Sequence, residues 1–261
     1  MSIDKQRVGN SFARHYGQYE DAAVVQRDMA DRLAAALAEH APKLAVQRAL
    51  EIGIGTGFLT RHLTTRFPEA EWWFNDLTPA AFDWIPVGLK QALTLEGDAE
   101  TLPYPHGLDL LASASALQWF DDLEGFFPKA RSVMNAGGVL ALASFGDRHF
   151  HELASVAHAP LHYPTPADFA AMAKHAGFTI LHAEDWEETL LFASARDLLD
   201  HLRRTGVNGA SARRISTPAQ LRAFETDYRA AHPREDGALP LTYHAILLLA
   251  SAQIGNHIPE I

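Results

Sequence analysis

Gly53, Gly55 and Gly57 stand at alternate positions behind Glu51, in the run Ala49-Leu50-Glu51-Ile52-Gly53-Ile54-Gly55-Thr56-Gly57-Phe58-Leu59. Glycines at that spacing remove the Cβ atoms that would keep a ligand off the backbone, and they permit the positive φ angles of a tight turn. The chemistry they suit is the binding of a nucleotide-like ligand. Phe58 occupies the place where the dinucleotide fingerprint G-x-G-x-x-G needs its third glycine, so NAD is disfavoured. Asp76 follows about 20 residues on, where an acidic side chain in such folds accepts hydrogen bonds from ribose hydroxyls. A third acidic signal is Glu96-Gly97-Asp98-Ala99-Glu100-Thr101-Leu102-Pro103.

Such residues act together only if strands carry them to one edge of a sheet. The apolar run before Gly53 reads as a strand and the pattern over 58–67 as a helix. Residues 71–76 read as a second strand, with Thr78-Pro79 as a helix start. Further strands are expected at 92–95, 108–112 and 139–145, with a helix over 122–134. Ahead of the glycines, Val24, Val25, Met29, Leu33, Ala36 and Leu37 recur at helical spacing. Past Phe145 the rhythm changes. A His-rich stretch runs to Tyr163, a helix opens at Pro166, a long strand covers 178–192, helices cover 194–204 and 218–231, and a last strand covers 241–249. The alternation implies an α/β fold, a mostly parallel sheet with helices on both faces. One domain, 1–261, is expected: a helical cap over 1–45, a core from 46–193 and 240–254, and a helical insertion over 194–239 lying above the ligand as a lid.

Composition narrows the partners. The chain has 261 residues, 48% of them hydrophobic, enough for one large α/β domain. With 22 Lys and Arg against 32 Asp and Glu the net charge is −10, so neither nucleic acid nor an anionic membrane has global electrostatic support. No apolar run approaches a membrane-spanning length. The chain has no cysteine and Met1-Ser2-Ile3-Asp4-Lys5 lacks the apolar core of a signal peptide, so a cytoplasmic setting is expected. His149, His151, His158 and His162 lack the spacing of a metal motif, and no metal is expected.

The Glu51-to-Gly57 segment resembles motif I of class I S-adenosylmethionine-dependent methyltransferases. Their Rossmann-like sheet has seven strands, the final one antiparallel. That resemblance gives Asp98 and Ala99 contacts to adenine, and extends the cofactor contacts to Leu77, Ser113 and Gln118. Three further segments narrow it: Asn10-Ser11-Phe12-Ala13-Arg14-His15-Tyr16, Ser113-Ala114-Ser115-Ala116-Leu117-Gln118-Trp119 and Leu239-Pro240-Leu241-Thr242-Tyr243-His244. Together they resemble the malonyl-acyl carrier protein O-methyltransferases of biotin synthesis, with Ala114 standing where the family usually has Asn.

The resemblance implies methylation of the free carboxylate of a malonyl thioester. A carboxylate is already nucleophilic and a methyl sulfonium is activated, so transfer needs alignment and water exclusion more than a general base. His15, Tyr16, Tyr243 and His244 are then expected to position the acceptor, with Arg148 a candidate for its carboxylate. The insertion is rich in arginine, and Arg203, Arg204, Arg213 and Arg214 are expected to meet an acidic acyl carrier protein. Two other readings stay open: the same fold acting on a free small molecule, such as a quinone precursor or carboxylic acid, and a noncatalytic binding module. Amino-methylation of nucleic acid is disfavoured, because no N-P-P-Y or D-P-P-Y type segment occurs.

Overall fold

Strands form where short apolar runs are bracketed by glycine, proline and acidic residues. β1 (Arg48–Ile52), β2 (Glu71–Asp76), β3 (Gln91–Glu96), β4 (Leu108–Ala114), β5 (Met134–Phe145), β6 (Phe178–Phe192) and β7 (Leu239–Ala252) form one sheet. Its order is β3-β2-β1-β4-β5-β7-β6. The computed structural model describes residues 5, 19–157, 163–205, 215 and 217–253. β1 pairs in parallel with β2 and β4, β2 with β3, and β4 with β5, whereas β7 runs antiparallel to both β5 and β6. This is the expected mostly parallel sheet with its final strand reversed.

Alternation along each strand divides the core in two. Trp72 and Phe74 face one cluster with Ala49, Val139 and Leu247, while Trp73 faces the other with Leu50, Leu140 and Leu248. Each large side chain so buried contributes roughly 1.5–3 kcal/mol. The helices are α1 (Val24–His40), α2 (Phe58–Arg66), α3 (Leu123–Val133), α4 (His151–Ala157), α5 (Pro166–His175), α6 (Ala195–Arg204) and α7 (Pro218–Ala231). α3 and α5 cover the Trp73 face through Phe126, Phe127 and Phe169; α1, α2, α4, α6 and α7 belong to the other. Their starts follow from sequence. Thr165 and Ser194 accept from the amides of Asp168 and Asp197, and Thr217 with Gln220 forms a reciprocal capping pair ahead of α7.

Two elements differ from expectation. The helix expected after Thr78 is a short 3-10 helix, Pro79–Trp84. β5 begins at Met134 rather than 139, because Met134 pairs with Leu108 across a register shift before Val139 meets Leu110. Gly137 and Gly138 hide that extension in the sequence. The His-rich stretch contains α4, which a buried carboxylate pins to the sheet: Glu152 accepts from the Thr242 amide at 3.0 Å and from the Thr242 hydroxyl at 2.5 Å.

From β1 the chain works outward through β2 to β3, then returns to place β4 on the other side of β1. At such a reversal the loops beyond the carboxyl ends of the strands diverge and leave a crevice. Between β6 and β7, α6 rests on both strands, and α7 packs on α4 and α6. The Tyr228 hydroxyl donates to the Pro240 carbonyl at 2.7 Å and ties α7 to β7.

Candidate active site

The crevice holds a cleft of about 930 Å³, its open mouth included. Gly53, Gly55, Glu51, Asp76, Leu77 and Asp98 are in its wall. Gly53 sits at φ 69°, and a Cβ there would lie 2.3 Å from the Ala116 Cβ, so the loop can pass β4 only as glycine. Gly55, at φ 52°, has nothing within 4 Å of its would-be Cβ; a ligand can approach its backbone from that side. The Gly55 amide donates to Asp76 Oδ2 at 3.0 Å and the Thr78 amide to Oδ1 at 3.1 Å, fixing the carboxylate at the end of β2. Burial nevertheless raises the proton affinity of Asp76 against these bonds and that of the Leu77 amide.

Glu51 is 1% exposed. Thr60 donates to its Oε1 at 3.0 Å, while Oε2 is buried without a partner. Burial pushes this carboxyl up to about 8; the Thr60 bond opposes the shift and neighbouring Asp76 adds to it. A buried acid in this state ionises readily only when a cation comes to it, so the cleft suits a positively charged, hydroxyl-bearing ligand. Asp98 accepts from the Glu100 amide at 3.0 Å and from Lys5 Nζ at 2.8 Å. The loop around Ala99 is held by Lys129, whose ammonium donates to the carbonyls of Ala99, Glu100 and Leu102 at 2.7–2.9 Å.

Behind the cleft lies a smaller, narrow chamber, about 330 Å³ with the solvent at its opening included. Tyr19, Gln26, Ser115 and Trp119 line both spaces. The chamber is completed by Gln118, Phe145, His149, Tyr163, Thr205 and Tyr243. Ser115 takes a left-handed conformation, φ 58°, with its amide donating to the Ala143 carbonyl at 2.9 Å. Such strain in a non-glycine residue concentrates where a site needs it.

A profile of the methyltransferase domain family matches residues 50–142, the stretch that holds the glycine loop, Asp76 and Asp98. Over 251 residues the chain is 32% identical to the malonyl-acyl carrier protein O-methyltransferase of Haemophilus influenzae, covering 95% of each chain. The chain belongs to that O-methyltransferase family. Solved structures agree on the fold. The YcgJ protein of Bacillus subtilis superposes with a TM-score of 0.61 at 17% identity, over 86% of this chain and 100% of its own. A phosphoethanolamine N-methyltransferase of Haemonchus contortus, bound to S-adenosylhomocysteine, gives 0.50 at 17% identity, over 85% and 52%.

Within this family fold, not every residue singled out by sequence reaches the cleft. Ser113 is fully buried and its hydroxyl donates to the Ile52 carbonyl at 3.0 Å, joining β4 to β1 rather than facing a ligand. Gln118 lies in the inner chamber instead of the cleft, its Nε2 donating to the Ser115 carbonyl at 2.7 Å. Gly57 stands behind the wall as the residue before α2, at φ 76°. Ala99 and Leu77 do line the cleft.

The terminal pair splits. Tyr243 faces the inner chamber, its hydroxyl 2.6 Å from His201 Nε2. His244 is corrected: the period of two along β7 turns it to the opposite face. There its Nε2 lies 3.1 Å from Asp185 Oδ2 and its Nδ1 accepts from the Arg148 amide at 3.1 Å. Arg148 is corrected as well, being half-exposed and paired with Asp185 at 2.9 Å and Glu187 at 2.5 Å, away from both spaces. Among the described residues, none from the insertion lines the cleft. Its Thr205 borders the inner chamber, so the insertion flanks that chamber rather than covering the glycine loop. Arg203 is exposed and paired with Asp200 at 2.5 Å, and Arg204 is half-buried near His201. His15, Tyr16, His158, His162, Arg213 and Arg214 lie outside the described residues.

Tyr19, Gln26, Ser115, His149, Tyr163 and His201 escaped the sequence reading as site residues. Their only common signal is polar or aromatic character at element ends, which ordinary core packing also produces. Among the described residues no cluster of His, Cys, Asp and Glu is arranged to hold a metal ion, and no helix is long and apolar enough to cross a membrane.

Proposed function

We propose that the protein transfers the methyl group of S-adenosylmethionine to the free carboxylate of malonyl-acyl carrier protein, an early step of biotin synthesis, in the cytoplasm. The observation that carries the cofactor is the buried Glu51 carboxyl, its Oε2 without a partner, beside Asp76 and the open backbone of Gly55. A sulfonium ligand that also bears an ammonium supplies the cation this carboxyl needs, and ribose hydroxyls suit the carboxylate of Asp76. Asp98 and Ala99 would meet the adenine, Lys5 moving off Asp98 as it enters. When bound, the cofactor supplies an activated methyl group, so the protein has only to align the acceptor and exclude water. The acceptor is assigned from the family relative that the chain matches over 95% of its length. Arg203, Arg204, Arg213 and Arg214 would guide the acidic carrier.

The test is to incubate the protein with S-adenosylmethionine and malonyl-acyl carrier protein and to follow a methyl ester by mass spectrometry. Ester on the carrier at a higher kcat/KM than on malonyl-coenzyme A supports the reading. Equal rates on both favour a small-molecule acceptor, and no ester on either removes the proposed substrate.

A further inference from the structure

The inner chamber is walled by aromatic and uncharged polar side chains. Phe145 and Phe150 stack on the His149 imidazole with centroids 4.0 and 3.7 Å away, and Tyr163 and Tyr243 meet it edge-on, each at 5.1 Å. Caged this way the ring cannot swing, yet its Nδ1 is buried without a hydrogen-bond partner. Two further atoms of the same wall, Gln26 Oε1 and Gln118 Oε1, are also buried and unpartnered. Buried polar atoms are nearly always satisfied, so three in one small chamber mark a place that needs a polar partner.

We propose that this chamber receives the acceptor carboxylate and that His149, with the Tyr163 and Tyr243 hydroxyls, binds it through neutral hydrogen bonds. This rests on the methyl-transfer reading above and names the acceptor side of that site. Among the described residues the wall contains no Lys, Arg, Asp or Glu. Its titratable groups are held in their uncharged forms. Burial, then the charge of His244, keeps His149 well below the usual imidazole range. Burial pushes the Tyr19, Tyr163 and Tyr243 hydroxyls up, so each stays protonated and able to donate. His201, which fixes the Tyr243 hydroxyl, is lowered to about 4 by burial and then by Arg204.

A neutral wall has a kinetic meaning. As the acceptor oxygen forms its bond to the methyl carbon, the carbon–sulfur bond breaks and its electron pair stays on sulfur. An anion and a cation become two neutral groups, and no proton moves. Charge that vanishes along the reaction is stabilised least, in the ground state, by a site with no counter-ion of its own. An arginine at the carboxylate would bind it more tightly and slow its attack. Hydrogen bonds from phenols and imidazole align the oxygen with less ground-state stabilisation.

The decisive variant is His149→Phe, which keeps the aromatic stack and removes both ring nitrogens. KM for malonyl-acyl carrier protein should rise at least about tenfold, while calorimetric Kd for S-adenosylmethionine stays within about twofold; His149→Asn, which restores a polar atom near Nδ1, should recover part of the loss. If His149→Phe folds poorly, Tyr163→Phe makes the same test with a smaller rise. Gln118→Lys, placing a cation in the wall, should lower KM for the acceptor and lower kcat several-fold. An unchanged KM in His149→Phe and Tyr163→Phe, an equal loss of cofactor affinity, or a kcat raised by Gln118→Lys overturns the assignment. If the unmodified protein forms no ester from any malonyl thioester, the proposed function itself falls; if it does and these variants match it, only the chamber assignment falls.

Discussion

The glycine cleft and the inner chamber share Tyr19, Gln26, Ser115 and Trp119, yet they are built by different means. Consecutive strand ends make the cleft: Glu51 closes on the glycines after β1, Asp76 ends β2 and Asp98 follows β3. Its functional groups are carboxylates. The chamber draws its residues from α1, the segment after β4, the end of β5 and the loop beyond it, the turn after α6 and strand β7, and its described groups are neutral. A site made by contiguous motifs can bind one ligand by charge. One assembled from scattered residues can instead be shaped by the insertion beside it, which suits it to the proposed acceptor role.

The largest expected effect separates backbone geometry from ligand contact within the cleft. Gly53→Val brings a β-branched residue to φ 69° with its Cβ 2.3 Å from Ala116, so stability should fall by roughly 2–5 kcal/mol from strain and overpacking combined. Gly55→Ala meets no atom within 4 Å; it should cost only about 1 kcal/mol of stability. Its cofactor affinity should nevertheless fall at least about tenfold, because the methyl occupies the ligand's approach. Thermal melts and calorimetry on both variants check this. Full cofactor affinity in folded Gly55→Ala would mean the ligand does not lie against that backbone.

How much of this was legible follows the same division. Glu51, the glycines, Asp76 and Asp98 announce themselves because one strand and its following loop hold each signal. β2 and β7 were readable because Trp72-Trp73-Phe74 and Leu247-Leu248-Leu249 are apolar on both faces. Ser113 misled because strand alternation and the neighbouring Ile52 carbonyl, not residue type, decide whether a hydroxyl faces a ligand. His244 misled for a related reason: adjacent strand residues point to opposite faces, and sequence alone leaves the face of a buried strand open. His149 and Tyr163 carried no local signal, since their cage is formed by residues as distant in sequence as Tyr243.

The next effect concerns charge in the cleft. Asp76→Ala should weaken S-adenosylmethionine binding by about 1.5–3 kcal/mol, the scale for losing charge-assisted hydrogen bonds. Glu51 adds a pH signature. Its folded-state pKa is raised from 4.5 to about 8, so across that window the native protein without ligand holds a proton the unfolded chain has lost. Stability from this group is complete below the lower value and is lost as pH rises toward the upper one. Glu51→Gln should flatten that slope. Cofactor binding near pH 7 should release a proton from the unmodified protein and none from Glu51→Gln, as calorimetry in buffers of different ionisation enthalpy will read. Equal proton release from both would remove Glu51 as the partner of the ligand's cation.

Tyr243 and His244 bring the comparison to two adjacent residues. Tyr243→Phe removes a hydroxyl that faces the chamber and leaves His201 Nε2 without its 2.6 Å partner, so methyl transfer should fall several-fold with cofactor affinity kept. His244→Ala removes a fully buried ring on the other face, together with its 3.1 Å contacts to Asp185 and the Arg148 amide. Stability should drop by about 2 kcal/mol, while kcat in the folded protein stays near its original value. A selective loss of kcat in His244→Ala would show that events on the α3 and α5 face reach the acceptor.

The smallest expected effect tests whether the insertion extends recognition beyond the chamber. Arg203 is exposed on the last turn of α6 and pairs at 2.5 Å with Asp200 on the same helix, a surface pair worth about 0–1 kcal/mol, so Arg203→Glu should leave the melting temperature almost unchanged. Its role would lie in encounter. A positive rim on an otherwise acidic protein speeds docking of an acidic carrier and does so less as salt rises, because the Debye length is about 8 Å at physiological ionic strength. Arg203→Glu should therefore raise KM for the carrier-bound substrate a few-fold and flatten its salt dependence. Malonyl-coenzyme A should be methylated as before, since the chamber and cleft are untouched. Arg204 is the wrong choice for this test: it lies beside His201, whose nitrogen holds Tyr243, and changing it would disturb the acceptor wall as well. Equal changes on both substrates with Arg203→Glu would place the arginine with the fold or the pocket, and no change on either would move carrier recognition off the exposed end of α6.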